Sequence, residues 1–490
     1  MGIVAGFMVP HPPMIVPSVG RGGEETIKET TLSYEKVADM IAELKPDTIV
    51  ISSPHSVMYR DYFHISPGSH ASGSFARFDA PEERFDVDYD VEFVDTLCEI
   101  AERDNISAGT LGEKSPSLDH GTMVPLYFIN KRYTDYKLVR IGLSGLSLQD
   151  HYGLGMAIKE TAGVTGRKVV YVASGDLSHK LKEYGPYGFA QEGPVYDERI
   201  MDVMGRAAFD ELFDFEESLL DKAAECGHRS FVMMAGAFDC NVVEVTKLSH
   251  QDVTGVGYGI CTYINKGVDE ERNMLEKWQI RHRDKIINMR KNEDAYVKLA
   301  RLSLENYIIT HEKILWRNVK RRVLSTGSGM TEQLTAEQLQ ERDSNSKVHE
   351  ELSNKRAGAF VSIHKNGALR GCIGTIGPTK DYLAEEIIEN AISASTRDPR
   401  FSPITKDELF ELEINVDVLG EIEPIESEDE LDVIRYGVIV AKGGKQGLLL
   451  PNLDGVDTVK EQLSIAKRKA GLAPDEEGCS LYRFEVVRHT

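Results

Sequence analysis

Over residues 1 to 266, short apolar runs rich in β-branched residues alternate with stretches of helical periodicity, and this alternation restricts the fold more than any other feature. The runs fall at 3–9, 48–52, 138–141, 169–173, 242–245 and 256–264. Between the first two, residues 24–44 repeat apolar side chains at intervals of three and four, the period of a helix with one buried face. Strands that are apolar on both faces must be covered on both. The spacing therefore predicts an α/β unit with a mostly parallel sheet flanked by helices.

The pattern changes at 267–292 (GVDEERNMLEKWQIRHRDKIINMRKN), a highly charged segment without proline. It reads as a helical connector with a solvated face. The remainder, 293–488, follows a different order: a helix at 294–310, a polar stretch at 325–349 that is mobile and partly helical, and then FVSIHKNGALRGCIG, a hairpin with Asn366-Gly367 at its turn. A helical period over 380–395, an alternating strand at 412–419 and a second hairpin around Gly443-Gly444 complete a smaller α+β domain.

Lys and Arg number 57 against 79 Asp and Glu, a formal net charge of −22. A chain this acidic repels phosphate backbones and anionic lipid unless it carries a local basic face, and no long basic block is present. Neither nucleic acid nor a membrane is the expected partner. No run approaches the about 18 apolar residues of a membrane helix, and MGIVAGFMVPHPP shows no basic leader. The six cysteines form no CxxC pair, which argues against a disulfide framework or a thiolate zinc knuckle. The reading is a cytoplasmic protein, for which self-association is left open.

Three histidines follow strand ends: His11 in VPHPPM, His55 in VISSPHS and His179 in VVYVASGDLSH. Ligands of open parallel sheets bind beyond the carboxyl ends of the strands, where such side chains converge. A fourth, His120 in SLDHGTMVPL, sits in a loop ahead of a helix. A single histidine beside proline is ordinarily a loop or core residue, and His64, His70, His151, His250, His282, His311, His349, His364 and His489 are read that way. His11 and His55 are read together as metal ligands, with the neighbouring prolines stiffening the backbone that aims them.

In this order VPHPP, SSPHS, LDHGTMVPL and SGDLSH resemble the class III extradiol ring-cleavage dioxygenases, the LigB-like superfamily that includes the Memo proteins. The resemblance covers essentially all of residues 1 to 266. It implies a non-haem Fe(II) oxidoreductase acting on a catechol-like or aminophenol-like aromatic, with His11 and His55 as imidazole ligands. His179 then resembles the acid/base histidine, and His120 the second histidine that meets substrate and oxygen. Two imidazoles and a carboxylate leave one face of the iron open to both reactants, and a neutral histidine can take a phenolic proton and later return it.

The third ligand is sought in KAAECGHRSF. Glu225 is the preferred hard donor, with Cys226 and then His228 as the alternatives. Successive helical residues turn by about 100°, so Glu225 and Cys226 do not both face one ion. A Cys226 thiolate would favour zinc or copper and weaken the dioxygenase reading. Asp176 and Asp119 precede their histidines and are read either as orienting partners of the imidazoles or as turn and cap residues.

The C-terminal part resembles the AMMECR-type domain, through GALRGCIGT, TRDPRFSP and KQGLLLP. Arg370, Cys372 and Arg400 form its one candidate cluster. Against that stand a partly structural reading of Cys372 as a small strand residue and of Asp398-Pro399-Arg400 as a turn with an ion pair. The fusion resembles the AmmeMemoRadiSam association. This implies a radical S-adenosylmethionine enzyme as partner and, as the alternative to ring cleavage, a metal- or ligand-binding accessory protein. A zinc hydrolase is weaker, because no HExxH is present.

Overall fold

In the computed structural model, which describes residues 2–324, 346–365, 368–453 and 455–490, the chain divides into two compact units, Met1–His282 and Arg283–Thr490. The first is built on a six-stranded sheet in the order Lys137–Gly142, Thr48–Ser53, Val169–Ser174, Ile3–Val9, Tyr258–Val268, Asn241–Gln251. The first four strands are mutually parallel, and the last two form an antiparallel ribbon along one edge. All six strands overlap the apolar runs: the first coincides with its run, the next four extend theirs by a residue or more, and Tyr258–Val268 begins two residues later than its run and ends four later.

Alternate side chains of these strands feed two separate cores, as the pleat requires. Met8, Val50, Val139, Tyr171 and Ala173 point to one face, where helices Val91–Arg103, Leu148–Val164 and His228–Ala237 cover them. Phe7, Val9, Ile49, Ile51 and Val172 point to the other, under helices Lys28–Leu44 and His120–Ile129. Helix Lys28–Leu44 shows why the pattern works: Thr30, Tyr34, Val37, Ala38 and Ile41 are buried, one stripe at helical spacing.

Helix Met274–Asn292 runs across the boundary between the two units. Trp278, near its start, is buried against Phe213 and donates its indole N–H to Asp214. Near its other end Arg290 pairs with Glu305 of the second unit. The charged face seen in the sequence hides anchors at both ends.

The second unit carries two four-stranded antiparallel sheets. Ala368–Gly374, Ala359–Lys365, Leu412–Leu419 and Val486–His489 form one, packed under helices Ala295–Thr310 and Leu383–Thr396. Glu423–Ile425, Ser480–Phe484, Gly437–Lys442 and Lys445–Leu449 form the other, beside helix Val459–Lys469. Gly443 and Gly444 turn its hairpin with φ of 57° and 79°, which glycine adopts without strain. The turn at Asn366-Gly367 and most of the polar stretch at 325–349 lie outside the described residues.

Burial of His151 makes the first unit sensitive to acid. Its Nδ1–H donates to the Ser147 carbonyl at 2.8 Å, its Nε2 accepts the Ser144 N–H at 3.4 Å, and burial depresses its pKa from 6.5 to about 4. Between those values the unfolded chain takes up a proton that the native state excludes. Native stability is therefore intact above 6.5 and falls as the pH drops toward 4. Between pH 7 and pH 5 the wild type should lose about 2 kcal/mol more than His151→Gln in urea unfolding. Equal losses in the two proteins would contradict this assignment.

Candidate metal centre

The parallel ladders hold three strand ends level: Val9 lies beside Ser174, and Ser52 beside Ala173. His11, His55 and Asp176 each follow the end of one of these strands by two residues, so they emerge together. The His55 Nε2 and His11 Nε2 atoms stand 3.0 Å apart. The His120 ring centroid lies 3.9 Å from that of His55 and 5.5 Å from that of His11. His179 is set further out, with its Nε2 3.9 Å from Asp176 Oδ2.

Cys226 completes the cluster, with Sγ 3.6 Å from His11 Nε2. What brings it there is a contact between two glycines. A Cβ on Gly175 would stand 2.1 Å from the Gly227 Cα, so only glycine at 175 lets the strand exit pass the start of helix His228–Ala237. The Asp176 N–H then points at the Cys226 sulfur at 3.3 Å.

Glu225, the carboxylate preferred from the sequence as third ligand, is directed elsewhere. Its Oε2 accepts the backbone N–H of His228 at 2.6 Å, at the first residue of helix His228–Ala237. The positive end of a helix and its unpaired N–H groups attract a nearby carboxylate. His228 is also outside the cluster: its Nε2 lies 3.0 Å from the Leu212 carbonyl and its Nδ1 3.5 Å from the Tyr196 hydroxyl. The structure brings His11, His55 and Cys226 together as one set of potential donors, and Asp176, His179 and Cys226 as another.

The tautomer of His11 follows from its partners. The Ser174 hydroxyl donates its one hydrogen to the Gly121 carbonyl at 2.6 Å, so at 3.0 Å from His11 Nδ1 it acts as acceptor. His11 therefore carries its proton on Nδ1 and presents the Nε2 lone pair to the cluster, the form that binds a metal. The backbone is fixed on both sides: the Tyr34 hydroxyl donates to the Pro10 carbonyl, and the His11 N–H donates to Asp176 Oδ1 at 2.8 Å.

Burial, and then the neighbouring imidazoles, drive the His11 pKa well below 6.5, and burial holds His120 and His179 down at about 4. Burial also lifts Asp176 to about 7 and the Cys226 thiol well above its ordinary value. Among the described residues no lysine or arginine pairs with Asp176. Neutral imidazoles beside acids that resist ionisation fit a site completed by a positive ion.

The spacing fits as well. Nitrogen and sulfur ligands at about 2.05 and about 2.3 Å from one tetrahedral ion stand about 3.5 Å apart, and two such nitrogens about 3.3 Å. The observed 3.6 and 3.0 Å lie close to both. The donor set present is two imidazoles and a thiol, with the Asp176 carboxylate adjacent. It is not the two-imidazole, one-carboxylate set that Glu225 would have completed.

A cavity of about 1130 Å³ opens on His55 and His120 and is walled by residues 72–74, 76–78, 84–86 and 115–119. Part of that wall is a hairpin of strands His70–Phe75 and Ala80–Asp88. Phe78 sets its ring 5.5 Å from His120. Tyr187 stacks on His179, with ring centroids 5.0 Å apart and planes 23° apart. Asp119 is a cap: it accepts the Thr122 N–H at 3.0 Å and the Ser53 hydroxyl at 2.6 Å, which fixes the start of helix His120–Ile129. Sequence reasoning missed Ser174, Phe78 and Tyr187. Only Ser174 left a signal, as a polar residue closing the otherwise apolar run VVYVAS.

In the second unit the candidate cluster resolves into braces. Arg370 pairs with Glu408 at 2.8 Å and donates to the Ser402 carbonyl. Asp398 accepts the Cys372 N–H at 2.9 Å and Arg400 at 2.7 Å, while Arg400 donates to the Cys372 carbonyl. The ion pair thus clasps the strand backbone around Cys372, in keeping with the reading of Asp398-Pro399-Arg400 as a structured turn.

Metal binding should separate the two candidate third ligands. Dialysis against Zn(II), followed by elemental analysis, should find about one ion in the wild type and in Glu225→Gln, and little in His11→Ala or Cys226→Ala. Glu225→Gln should cost only about 1 kcal/mol of stability, through the weakened helix start. Loss of metal in Glu225→Gln with retention in Cys226→Ala would contradict the assignment.

Residues 5–261 match the family described as the catalytic LigB subunit of aromatic ring-opening dioxygenase, and residues 297–489 match AMMECR1. A protein of Clostridium acetobutylicum is 38% identical over the whole of this chain and 99% of its own length. A Thermotoga maritima protein is 55% identical over 29% of this chain and 82% of its own length. Among solved structures, an uncharacterised Pyrococcus horikoshii protein aligns over 40% of this chain and 92% of its own, at 29% identity and a TM-score of 0.32. The chain belongs to the LigB family of aromatic ring-opening dioxygenase subunits, with an AMMECR1 domain in the same polypeptide.

Proposed function

We propose that the N-terminal unit is a metal-dependent ring-opening oxygenase of the extradiol type acting on a small aromatic. His11, His55 and Cys226 hold the ion, and the Asp176 carboxylate balances its charge. The observation that carries this reading is the convergence of the His11 and His55 imidazoles and the Cys226 thiol, with His55 also lining a cavity wide enough for an aromatic substrate. Ferrous iron is the ion that ring opening calls for. When bound, it supplies a positive centre at which phenolic oxygens and dioxygen are held together.

The chain's own residues supply the rest. His120 lies between the metal donors and Phe78, where it can hydrogen-bond a phenolic oxygen lying against the Phe78 ring. His179, neutral at pH 7 with its Nε2 3.9 Å from Asp176 Oδ2, is the base that takes the phenolic proton. An anion formed beside it raises its affinity for that proton, so the same imidazole can return it. Tyr187, stacked on His179, covers one face of the ring and limits the access of water.

One observation favours a second reading. A thiolate in place of a carboxylate suits zinc at least as well as iron. With zinc bound, the unit is a metal-binding accessory protein, and the proposed partnership with a radical S-adenosylmethionine enzyme rests on the domain fusion.

Oxygen uptake by anaerobically iron-loaded protein, with catechol and 2-aminophenol as substrates, tests the first reading. We expect one O₂ consumed per ring opened, and a fall of about 10²- to 10⁴-fold in rate for His179→Ala at unchanged iron content. Iron-loaded wild type that consumes no oxygen with any substrate, yet co-purifies with the radical enzyme, would favour the accessory reading.

A further inference from the structure

We infer that the second unit carries an acyl-transfer site of its own, in which Cys372 takes the acyl group of a small thioester and Lys469 holds that group's carboxylate.

The strand register assembles the site. Val361, Ile363, Ile414 and Val416 point into the core under helices Ala295–Thr310 and Leu383–Thr396. The residues between them therefore face the other way, as the pleat requires. Ser362 stands opposite Cys372 on one side and opposite Asn415 on the other. A thiol, a hydroxyl and a carboxamide thus form one row across three strands, with neighbours about 5 Å apart. His364 lies one row further along the same face. Phe360 at the other end of this strand packs with Leu448 and Phe484 of the second sheet, whereas Ser362, His364, Cys372 and Asn415 remain partly open.

The Cys372 backbone is held on both sides. Its N–H donates to Asp398 at 2.9 Å and its carbonyl accepts from Arg400 at 3.1 Å, which leaves the side chain as the uncommitted part of the residue. The Ser362 hydroxyl donates to the sulfur at 3.3 Å, a bond that favours the thiolate. Among the described residues the side chains of His364, Asn415 and Lys469 make no hydrogen bond or ion pair. Nearby cations of the same subdomain are committed: Lys442 pairs with Glu476, and Lys445 donates to the Gly471 carbonyl at 3.0 Å.

Lys469 ends helix Val459–Lys469 within electrostatic reach of both Cys372 and Arg400. Desolvation of its amine, opposed by the Cys372 thiol and reinforced by Arg400, lowers its pKa from 10.5. Arg400 is already neutralised by Asp398, 2.7 Å away. A cation placed beside a second cation, without an acid of its own in so acidic a chain, is suited to an anion from outside. The parts then match an acyl donor with a remote carboxylate: a sulfur nucleophile, the Asn415 amide as donor to the carbonyl oxygen, and a point charge for the carboxylate.

The step balances without an oxidant. Cys372 Sγ bonds to the acyl carbon, the bond from that carbon to the donor's sulfur breaks, and the thiol proton ends on the departing sulfur. His364, whose pKa burial lowers from 6.5, is a neutral imidazole on the same face available to carry that proton.

The test treats the full chain with the N-acetylcysteamine thioesters of adipate and of its monomethyl ester, which differ in one charge, and maps acylation by peptide mass. A hydroxylamine-labile acyl group should appear on Cys372, at least tenfold faster from the acid than from the ester. Lys469→Gln should reduce that preference below threefold, and Lys469→Arg, which keeps the charge, should retain it. Asn415→Ala should slow both donors at least tenfold while the acid stays preferred. No acyl group on Cys372, a smaller wild-type preference, an unchanged preference in Lys469→Gln, its loss in Lys469→Arg as well, or an unchanged rate in Asn415→Ala would each overturn the site.

Discussion

The parallel ladders hold the ends of Ile3–Val9, Val169–Ser174 and Thr48–Ser53 at one level, and the site depends on that register. Adjacent parallel strands pointing the same way deliver equivalent positions to the same edge. His11, Asp176 and His55 occupy equivalent positions. A slip of one residue in either ladder would turn Ser174 or Ser53 away and misdirect the imidazole that follows. The apolar side chains on both faces oppose such a slip, so the same residues that form the cores set the spacing of the donors.

A second constraint acts through the proton inventory. The Ser174 hydroxyl, committed to the Gly121 carbonyl, accepts from His11 Nδ1 and leaves the Nε2 lone pair exposed to the cluster. The site collects lone pairs and buried acids, and among the described residues no lysine or arginine pairs with Asp176. Such an arrangement is disfavoured in isolation and stabilised by a bound ion. Strand register and hydrogen bonding thus lead to the same chemistry from independent directions.

The sheet was legible because its runs are apolar on both faces and its helices carry a clear stripe, as Tyr34, Val37 and Ile41 show. The placement of His11 and His55 after strands was legible for the same reason. The choice between Glu225 and Cys226 was not. An acidic residue just before a helix can cap it or turn away from it, and the outcome depends on how closely Gly175 and Gly227 approach, a tertiary contact with no local signature. The burial of Trp278 likewise has no signal among its charged neighbours.

The central claim is that imidazoles from two strand ends and the Cys226 thiol meet on one cation. X-ray absorption spectroscopy of the metal-loaded full chain tests this most directly. The account predicts two nitrogen scatterers at about 2.0–2.1 Å and one sulfur at about 2.3 Å, with the sulfur contribution absent in Cys226→Ala. A first shell of nitrogen and oxygen only, unchanged in that variant, would contradict it.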